Sequence, residues 1–367
     1  MEKLNVYIGN RLVGALARYK DKYAFEYDKE WLKDGYSISP FSLPLKEGVF
    51  IPKNNVFNGL FGVFADSLPD SWGNLLLDRF IRKQGIKDVD LLTKLSIIGS
   101  SGMGALEYKP NNEMKDKLQF DLDKYQEEAN KILNQEEANI DYLFRFGGSS
   151  GGARPKVLVN IDNCEWLIKF ESKFDFKDFG LSEYEYALAC KEIGINMPDV
   201  KLFESKTNKG YFGIKRFDRT DDLKRIHMIS ASALLEIDFR GPTIDYLNLF
   251  KLTKILTNGN KNDLEQLFLR MCFNVYAHNL DDHAKNFSYL YDPKLKKYVL
   301  SPAYDMTYSN TYFYEHTSAV NNKGKDILDS DLIAVGKGFN LDMDFMLESI
   351  KKVKNIVNKR LNKYLNQ

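Results

Sequence analysis

The chain has 367 residues, 44% hydrophobic and 28% charged, a composition that can bury a sizeable core and excludes global disorder. Fifty-two Lys and Arg stand against 51 Asp and Glu, a net charge of +1 that excludes long-range attraction of the whole chain to nucleic acid or anionic membrane. The odd set Cys164, Cys190 and Cys272, without CxxC or a nearby His at ligand spacing, reads as reduced thiols. With no signal-peptide pattern and no apolar run of membrane-spanning length, a cytoplasmic protein is expected.

Residues 4–27 alternate apolar and polar around “GN” and “KDK”, which predicts a meander of short strands. Residues 57–85 begin with turn residues and continue into a helix with Leu75, Leu76 and Phe80 on one face and Gly85 as a stop. Residues 91–110 end in a Gly-rich turn and a short strand, so 1–110 is expected to form a small α+β domain. The polar stretch 111–140 has helical spacing and reads as a connecting helix or linker.

From 141 the texture changes. A Gly-rich loop at 147–156 leads into strands at 157–161 and 165–170, then a helix at 182–194 with Ser182 as N-cap and Gly194 as stop. A further strand is expected at 211–219. Later segments are mainly helical. Leu264, Leu267, Phe268, Met271 and Val275 form one stripe, and Met346, Ile350, Val353, Val357 and Leu361 form another. A strand-rich lobe (141–219) and a helical lobe (220–367) follow from this pattern.

The run “HNLDDHAKNFSYLYDP” (278–293) carries the densest chemistry, at the end of the first of those stripes. His278 and His283 are five apart, off the i, i+4 spacing of a helical zinc pair, and no Cys or third His is near. A hydrated polar turn is the plain alternative, although apolar sequence anchors the run on both sides. A phosphotransferase loop needs an Asp for the hydroxyl proton, an Asn five residues on for Mg²⁺, and a second Asp at a strand–loop junction. Asp281, Asn286 and Asp305 meet that spacing.

The upstream parts occur in the expected order. “GGSSGGARPK” fails the Walker A pattern but can be a flap whose amides approach phosphates, or a flexible linker. Lys169 suits a strand lysine that binds phosphate and pairs with a helix Glu, or a plain outward-facing lysine. Glu185 is the candidate partner, with Glu183 as fallback, but Ser182 and Glu185 also have capping-box spacing.

“NLDDHAKNFS” (279–288), “SSGGARPK” (149–156) and “LSPAYDM” (300–306) resemble the signature segments of HipA-type kinases, the toxins of bacterial type II toxin–antitoxin pairs. “FADSLPDSWG” (64–73) and “GMGAL” (102–106) resemble the small domain that precedes the core in that family. The resemblance implies an α+β, protein-kinase-like bilobal core at 141–367 behind an α+β N-terminal domain. It implies a Ser/Thr protein kinase using ATP and Mg²⁺, with Asp281 as base, Asn286 and Asp305 as metal ligands, and Lys169 on phosphate. His283 and Lys285 would lie near the phosphates, Lys215 and Phe217 at the adenine, and Gly151, Gly152, Ala153, Arg154, Lys156 and Tyr304 would complete the nucleotide site. Ser149 or Ser150 would be autophosphorylated. A helix-turn-helix antitoxin, operator DNA reached mainly through it, and a protein substrate such as an aminoacyl-tRNA synthetase are the implied partners. Arg154 stands where that family commonly has Gln, a departure in the loop rather than in the chemistry. A catalytically silent binding or co-repressor component on the same fold, or a small-molecule phosphotransferase, are the competing functions.

Overall fold

The computed structural model describes residues 2–87, 89–111, 119–172, 175, 177–311 and 314–365; part of the expected linker, 112–118, lies outside them. The chain divides into two compact units, Met1–Gly180 with Lys201–Ile229 and Ala233–Glu236, and Leu181–Val200 with Ser230–Ser232 and Ile237–Gln367.

In the first unit the alternating segments form an antiparallel meander of β1 (Lys3–Ile8), β2 (Arg11–Tyr19) and β3 (Lys22–Tyr27). The alternation puts Leu4, Val6, Val13, Leu16 and Phe25 in the core. Gly9 and Lys20 close the two turns in left-handed conformations. After α1 (Lys29–Asp34), β4 (Val49–Phe50) and β5 (Leu106–Lys109) complete the sheet in the order β4-β3-β2-β1-β5. Between them lie α2 (Gly62–Ala65), α3 (Ser71–Lys83) and α4 (Leu91–Ile98), the last capped by Asp90 accepting from Thr93 N. The buried face of α3 is Trp72, Leu76, Leu77, Phe80 and Ile81. Leu75, expected on that face, is 37% exposed, because one residue before Leu76 it is rotated about 100° from the Trp72–Leu76–Phe80 row.

α5 (Leu122–Leu133) and α6 (Ile140–Gly147) follow, N-capped by Asp121 and Asn139. They send Tyr125, Ala129, Ile132, Tyr142 and Leu143 into one cluster with Val157, Ile168, Phe170 and Tyr211 of the second sheet. That sheet comprises β6 (Lys156–Ile161), β7 (Cys164–Lys169), β8 (Val200–Phe203) and β9 (Tyr211–Lys215), in the order β6-β7-β9-β8. The strand expected through residue 219 stops at Lys215, where Arg216, Asp218 and Arg219 turn into a buried charge cluster.

The second unit is mainly helical. α7 (Phe179–Ile193), whose first two residues belong to the first unit, stops at Gly194 in a left-handed conformation, as the sequence predicts. It begins three residues before Ser182, so Ser182 is a helix-interior residue rather than an N-cap. Glu185 forms no capping box: its carboxylate accepts from Tyr364 Oη at 2.6 Å and pairs with Lys363 at 2.7 Å. β10 (Met228–Ser230) and α8 (Ala231–Leu235) fall where the units divide. β11 (Ile244–Asp245) leads into α9 (Tyr246–Leu256), which has an Asp245/Asn248 capping box. α10 (Lys261–Tyr276) buries Leu264, Leu267, Phe268 and Met271 of its predicted stripe, leaves Val275 half-buried, and runs into the 278–293 segment. There β12 (Ser288–Asp292) and β13 (Lys297–Leu300) form a hairpin. β14 (Ser318–Ala319), which pairs in parallel with β11, precedes α11 (Asp329–Gly338) and α12 (Met343–Leu365). The α12 stripe from Met346 to Leu361 is buried throughout.

Candidate active site

α10 ends at Tyr276, and His278 takes a left-handed conformation (φ +56°) that turns the chain out of the helix. Its ring stacks on Tyr308 and meets the Asn310 amide oxygen at 2.7 Å, a structural role. The next residues run beside the segment after Asp305: Leu280 N donates to Ser309 O (3.0 Å) and Ser309 N to His278 O (3.1 Å).

The two adjacent carboxylates then part. The Asp281 side chain is 53% exposed, whereas Asp282 is fully buried. Asp282 accepts from Tyr246 Oη (3.0 Å), His316 Nδ1 (3.0 Å) and Ser318 N (2.9 Å). Burial, and then the Asp282 charge, push the Tyr246 pKa well above its ordinary value, so the phenol stays a donor. Residues Ala284–Asn286 form one turn of 3₁₀ helix that folds Asn286 back, and its Nδ2 donates to Asp281 O at 2.8 Å. His283 Nε2 lies 4.0 Å from the Asp281 carboxylate. Phe239 packs against this pair of basic residues, its ring 5.1 Å from that of His283 and 5.0 Å from Lys285 Nζ.

A buried polar chain continues from Asp282. Asn274 Nδ2 donates to Tyr246 Oη (2.9 Å), and Asn279 Nδ2 to Asn274 Oδ1 (2.9 Å) and Asp305 O (3.2 Å). Asp305 has φ +52°, a strained conformation for a non-Gly residue. Tyr304 donates to Lys285 O at 2.7 Å and meets Ser288 Oγ at 2.5 Å. The second unit thus gathers Asp281, His283, Lys285, Asn286, Tyr304 and Asp305 about one braced loop.

The other predicted residues belong to the first unit. Lys156 and Lys169 are directly opposed on β6 and β7, and both are buried. Lys156 Nζ lies under Gly152: a Cβ there would come within 2.2 Å of it, and Gly152 has φ +87°, so only glycine fits. Lys169 Nζ sits 5.7 Å over the Phe212 ring. Arg154 is drawn aside, its Nε 2.9 Å from Asp175 and its guanidinium 4.0 Å over Phe179. Ser150 is fully buried and donates to Gly147 O at 2.6 Å, while Ser149 and Ala153 are more open. Lys215 pairs with Asp221 at 2.9 Å, and Phe217, beyond the end of β9, lies in a turn.

The Gly-rich loop is seated on the start of α3. Asp70, at the N-cap position, makes no side-chain capping bond and accepts from Gly152 N at 2.8 Å. Trp72 N donates to Gly152 O, and a Cβ on Gly73 would meet Ser150 O at 2.6 Å.

Residues 148–361 match the family described as the HipA-like C-terminal domain, and residues 4–109 match the HipA N-terminal domain. The chain belongs to the HipA-type kinase family. It is 24% identical over 342 residues to the putative kinase Y4dM of Sinorhizobium fredii, covering 87% of this chain and 80% of that protein. It is 23% identical over 349 residues to the serine/threonine-protein kinase toxin HipA of Shewanella oneidensis, covering 84% and 76%. The solved complex of Shewanella oneidensis HipA with HipB and operator DNA contains a chain that matches with a TM-score of 0.74 at 18% identity, over 99% of this chain and 90% of that one. That likeness shows the shared α+β, kinase-like fold.

Several residues that brace this loop carry no motif in the sequence. His316, Tyr246 and Asn274 are scattered polar residues until the fold collects them around Asp282 and Asn279. Phe239, in “IDFRGPT”, gave no signal. Asp70 did have one, because it lies within the quoted “FADSLPDSWG” segment.

Proposed function

We propose that this chain is an ATP- and Mg²⁺-dependent serine/threonine protein kinase and the toxin of a toxin–antitoxin pair. The observation that carries the reading is the divided doublet: Asp282 is sequestered by three hydrogen bonds while neighbouring Asp281 is presented to solvent beside Asn286. A base must be rigidly held and accessible to a hydroxyl, and this loop meets both conditions. On the first unit, Lys156 and Lys169 are buried and directly opposed on neighbouring strands, two cationic side chains placed side by side as phosphate binding requires.

In this reading Asp281 takes the proton of a substrate hydroxyl, His283 and Lys285 steady the transferring phosphoryl group, and Lys156 and Lys169 bind phosphate under the amides of Gly151 and Gly152. Ala153, Arg154, Lys215 and Phe217 are further proposed nucleotide contacts on the first unit, and Tyr304 is one on the second. Among the described residues no three His, Cys, Asp or Glu side chains converge as a ready-made metal cage. Magnesium itself takes few protein ligands and fills its sphere with water and phosphate oxygens. Asn286 fits as one ligand, since its Nδ2 is engaged on Asp281 O and its amide oxygen remains for a cation; Asp305 supplies a carboxylate. Bound Mg²⁺ would neutralise charge on the phosphates.

Ser149, the more open of the loop pair, is the proposed autophosphorylation site, with Ser150 reachable only after the loop lifts. The relatives named as a kinase and as the toxin HipA support the activity, and the complex with HipB and operator DNA supports an antitoxin and, through it, DNA. The proposed target is a translation component such as an aminoacyl-tRNA synthetase, in the cytoplasm. No described helix is long and apolar enough to cross a membrane.

The test is transfer of ³²P from labelled ATP to the chain itself and to proteins of a bacterial lysate, with and without EDTA. Wild type labels protein only with Mg²⁺, and Asp281→Asn lowers the rate by at least about 10²-fold, with Asp305→Asn losing at least as much. No transfer by wild type, or transfer confined to small molecules, refutes the reading.

A further inference from the structure

The structure assigns His316 as a positioning residue for Asp281, acting through Asp282, an inference that rests on the kinase reading above. Residues His316, Thr317 and Ser318 are all buried and engage the two residues that flank Asp281. Thr317 donates to Leu280 O from both its N (2.9 Å) and its Oγ1 (3.1 Å). Ser318 donates from N to the Asp282 carboxylate at 2.9 Å and from Oγ to Asp282 O. His316 Nδ1 reaches the same carboxylate at 3.0 Å. Asp281 is therefore the one residue of 280–282 with an exposed side chain, held between two clamped neighbours.

The clamp is itself anchored. His316 N donates to Gly324 O at 2.7 Å, β14 pairs with β11, and Asn322 N donates to the Asp245 carboxylate at 2.7 Å. A strap anchored at both ends transmits its position to what it grips. Because a carboxylate only accepts, Nδ1 must carry the hydrogen, which fixes the tautomer of His316. Within the strap this is the one side chain-to-side chain bond on Asp282; without it Oδ2 keeps only Tyr246. Small displacements of a reacting group are costly, so loss of this donor loosens Asp281 without touching the phosphate-binding residues.

Three variants test this: His316→Phe keeps a ring and removes the donor, His316→Asn keeps an N–H near the position of Nδ1, and Ser318→Ala removes one hydroxyl from the same clamp. Steady-state phosphotransfer and amide hydrogen exchange over 278–287 are measured for each. His316→Phe should lower kcat about 10- to 100-fold with KM for ATP unchanged, and speed exchange in that peptide. His316→Asn should restore most of kcat and the protection. A folded His316→Phe with wild-type kcat overturns the assignment, as does an Asn variant as impaired as the Phe variant. If His316→Phe does not fold, Ser318→Ala should show the same split of kcat from KM, and wild-type kcat there overturns it. If wild type transfers no phosphate, the kinase reading fails by itself. Exchange then decides the clamp: faster in the Phe variant and not in the Asn variant supports it, and equal rates refute it.

Discussion

Replacing Asp218 with alanine should be among the most destabilising single changes in the first unit. Its fully buried carboxylate takes Arg216 on two prongs (Nε to Oδ1 at 2.9 Å, Nη2 to Oδ2 at 2.7 Å), Arg219 Nη1 at 3.0 Å and Gly104 N at 2.7 Å. Burial alone would raise its pKa; the charge and hydrogen bonds of Arg216, then Arg219, outweigh that and hold the carboxyl well below the usual range. Arg225 lies in the same cluster, donating to the carbonyls of Ser100, Gly102 and Gly104, and burial followed by Arg219 and Arg216 pushes it down to about 10. In Asp218→Ala the three guanidiniums keep their backbone carbonyls but, among the described residues, only two carboxylates: Glu165, 3.2 Å from Arg216 and Arg219, and Glu107, 3.9 Å from Arg225.

Breaking a buried pair on one side costs about 3–5 kcal/mol, a large share of the roughly 5–15 kcal/mol that holds a typical protein folded. Trp31, Trp72 and Trp166 all lie in the first unit, so tryptophan fluorescence during urea unfolding reports on it. The pH dependence has a definite sign. With its folded pKa depressed, Asp218 contributes fully above its unfolded value of about 3.9, and the contribution fades as pH falls below that toward the folded pKa. The gap between wild type and variant should therefore be constant from pH 7 to 5 and narrow by up to about 1.4 kcal/mol per unit below about pH 4. A gap under about 1 kcal/mol at pH 7, or one that widens in acid, would refute the reasoning.

Asp70→Ala should free the Gly-rich loop: losing a charge-assisted bond to Gly152 N is worth about 1.5–3 kcal/mol locally, or more than about tenfold faster amide exchange over 148–153. Unchanged protection would show that the loop is held without the carboxylate. Glu185→Ala removes a partly exposed pair with Lys363 and a bond from Tyr364, so urea unfolding should fall by only about 0.5–1.5 kcal/mol. Its ATP affinity, by equilibrium dialysis, should match wild type; a large loss would return Glu185 to the role of phosphate-lysine partner.

The parts of this fold that were legible in the sequence are those where one local rule dominates. Alternation gave the β1–β3 meander, and 3.6-residue stripes gave α10 and α12 with their buried faces. Ser182 and Glu185 misled because capping-box spacing is a local signal, while the helix start was set by packing: a Cβ on Gly180 would lie 2.3 Å from Gly210 O, so glycine lets the backbone approach. The strand expected to reach 219 was cut short by charges that sequence cannot pair, since Asp218 finds Gly104 across 114 residues. The same distance in sequence hid His316, Tyr246 and Asn274. A motif displays residues that lie close together in the chain, whereas those that brace them are recruited from wherever the fold brings a donor.

That division explains why the site is held by a polar network instead of an apolar core. Apolar packing under Asp282 would be cheaper to form, because burying a carboxylate carries a desolvation penalty that well-packed side chains avoid. Yet apolar contacts are non-directional and tolerate small shifts, whereas each bond from Tyr246, His316 and Ser318 fixes an angle as well as a distance. Through Asn274 and Asn279 the same network ends on Asp305 O, the backbone of a residue already held in a left-handed conformation. The Asp281 loop and the Asp305 loop therefore share one hydrogen-bonded frame. A shift of either would break a buried bond in it, at about 1–3 kcal/mol for each group left unsatisfied.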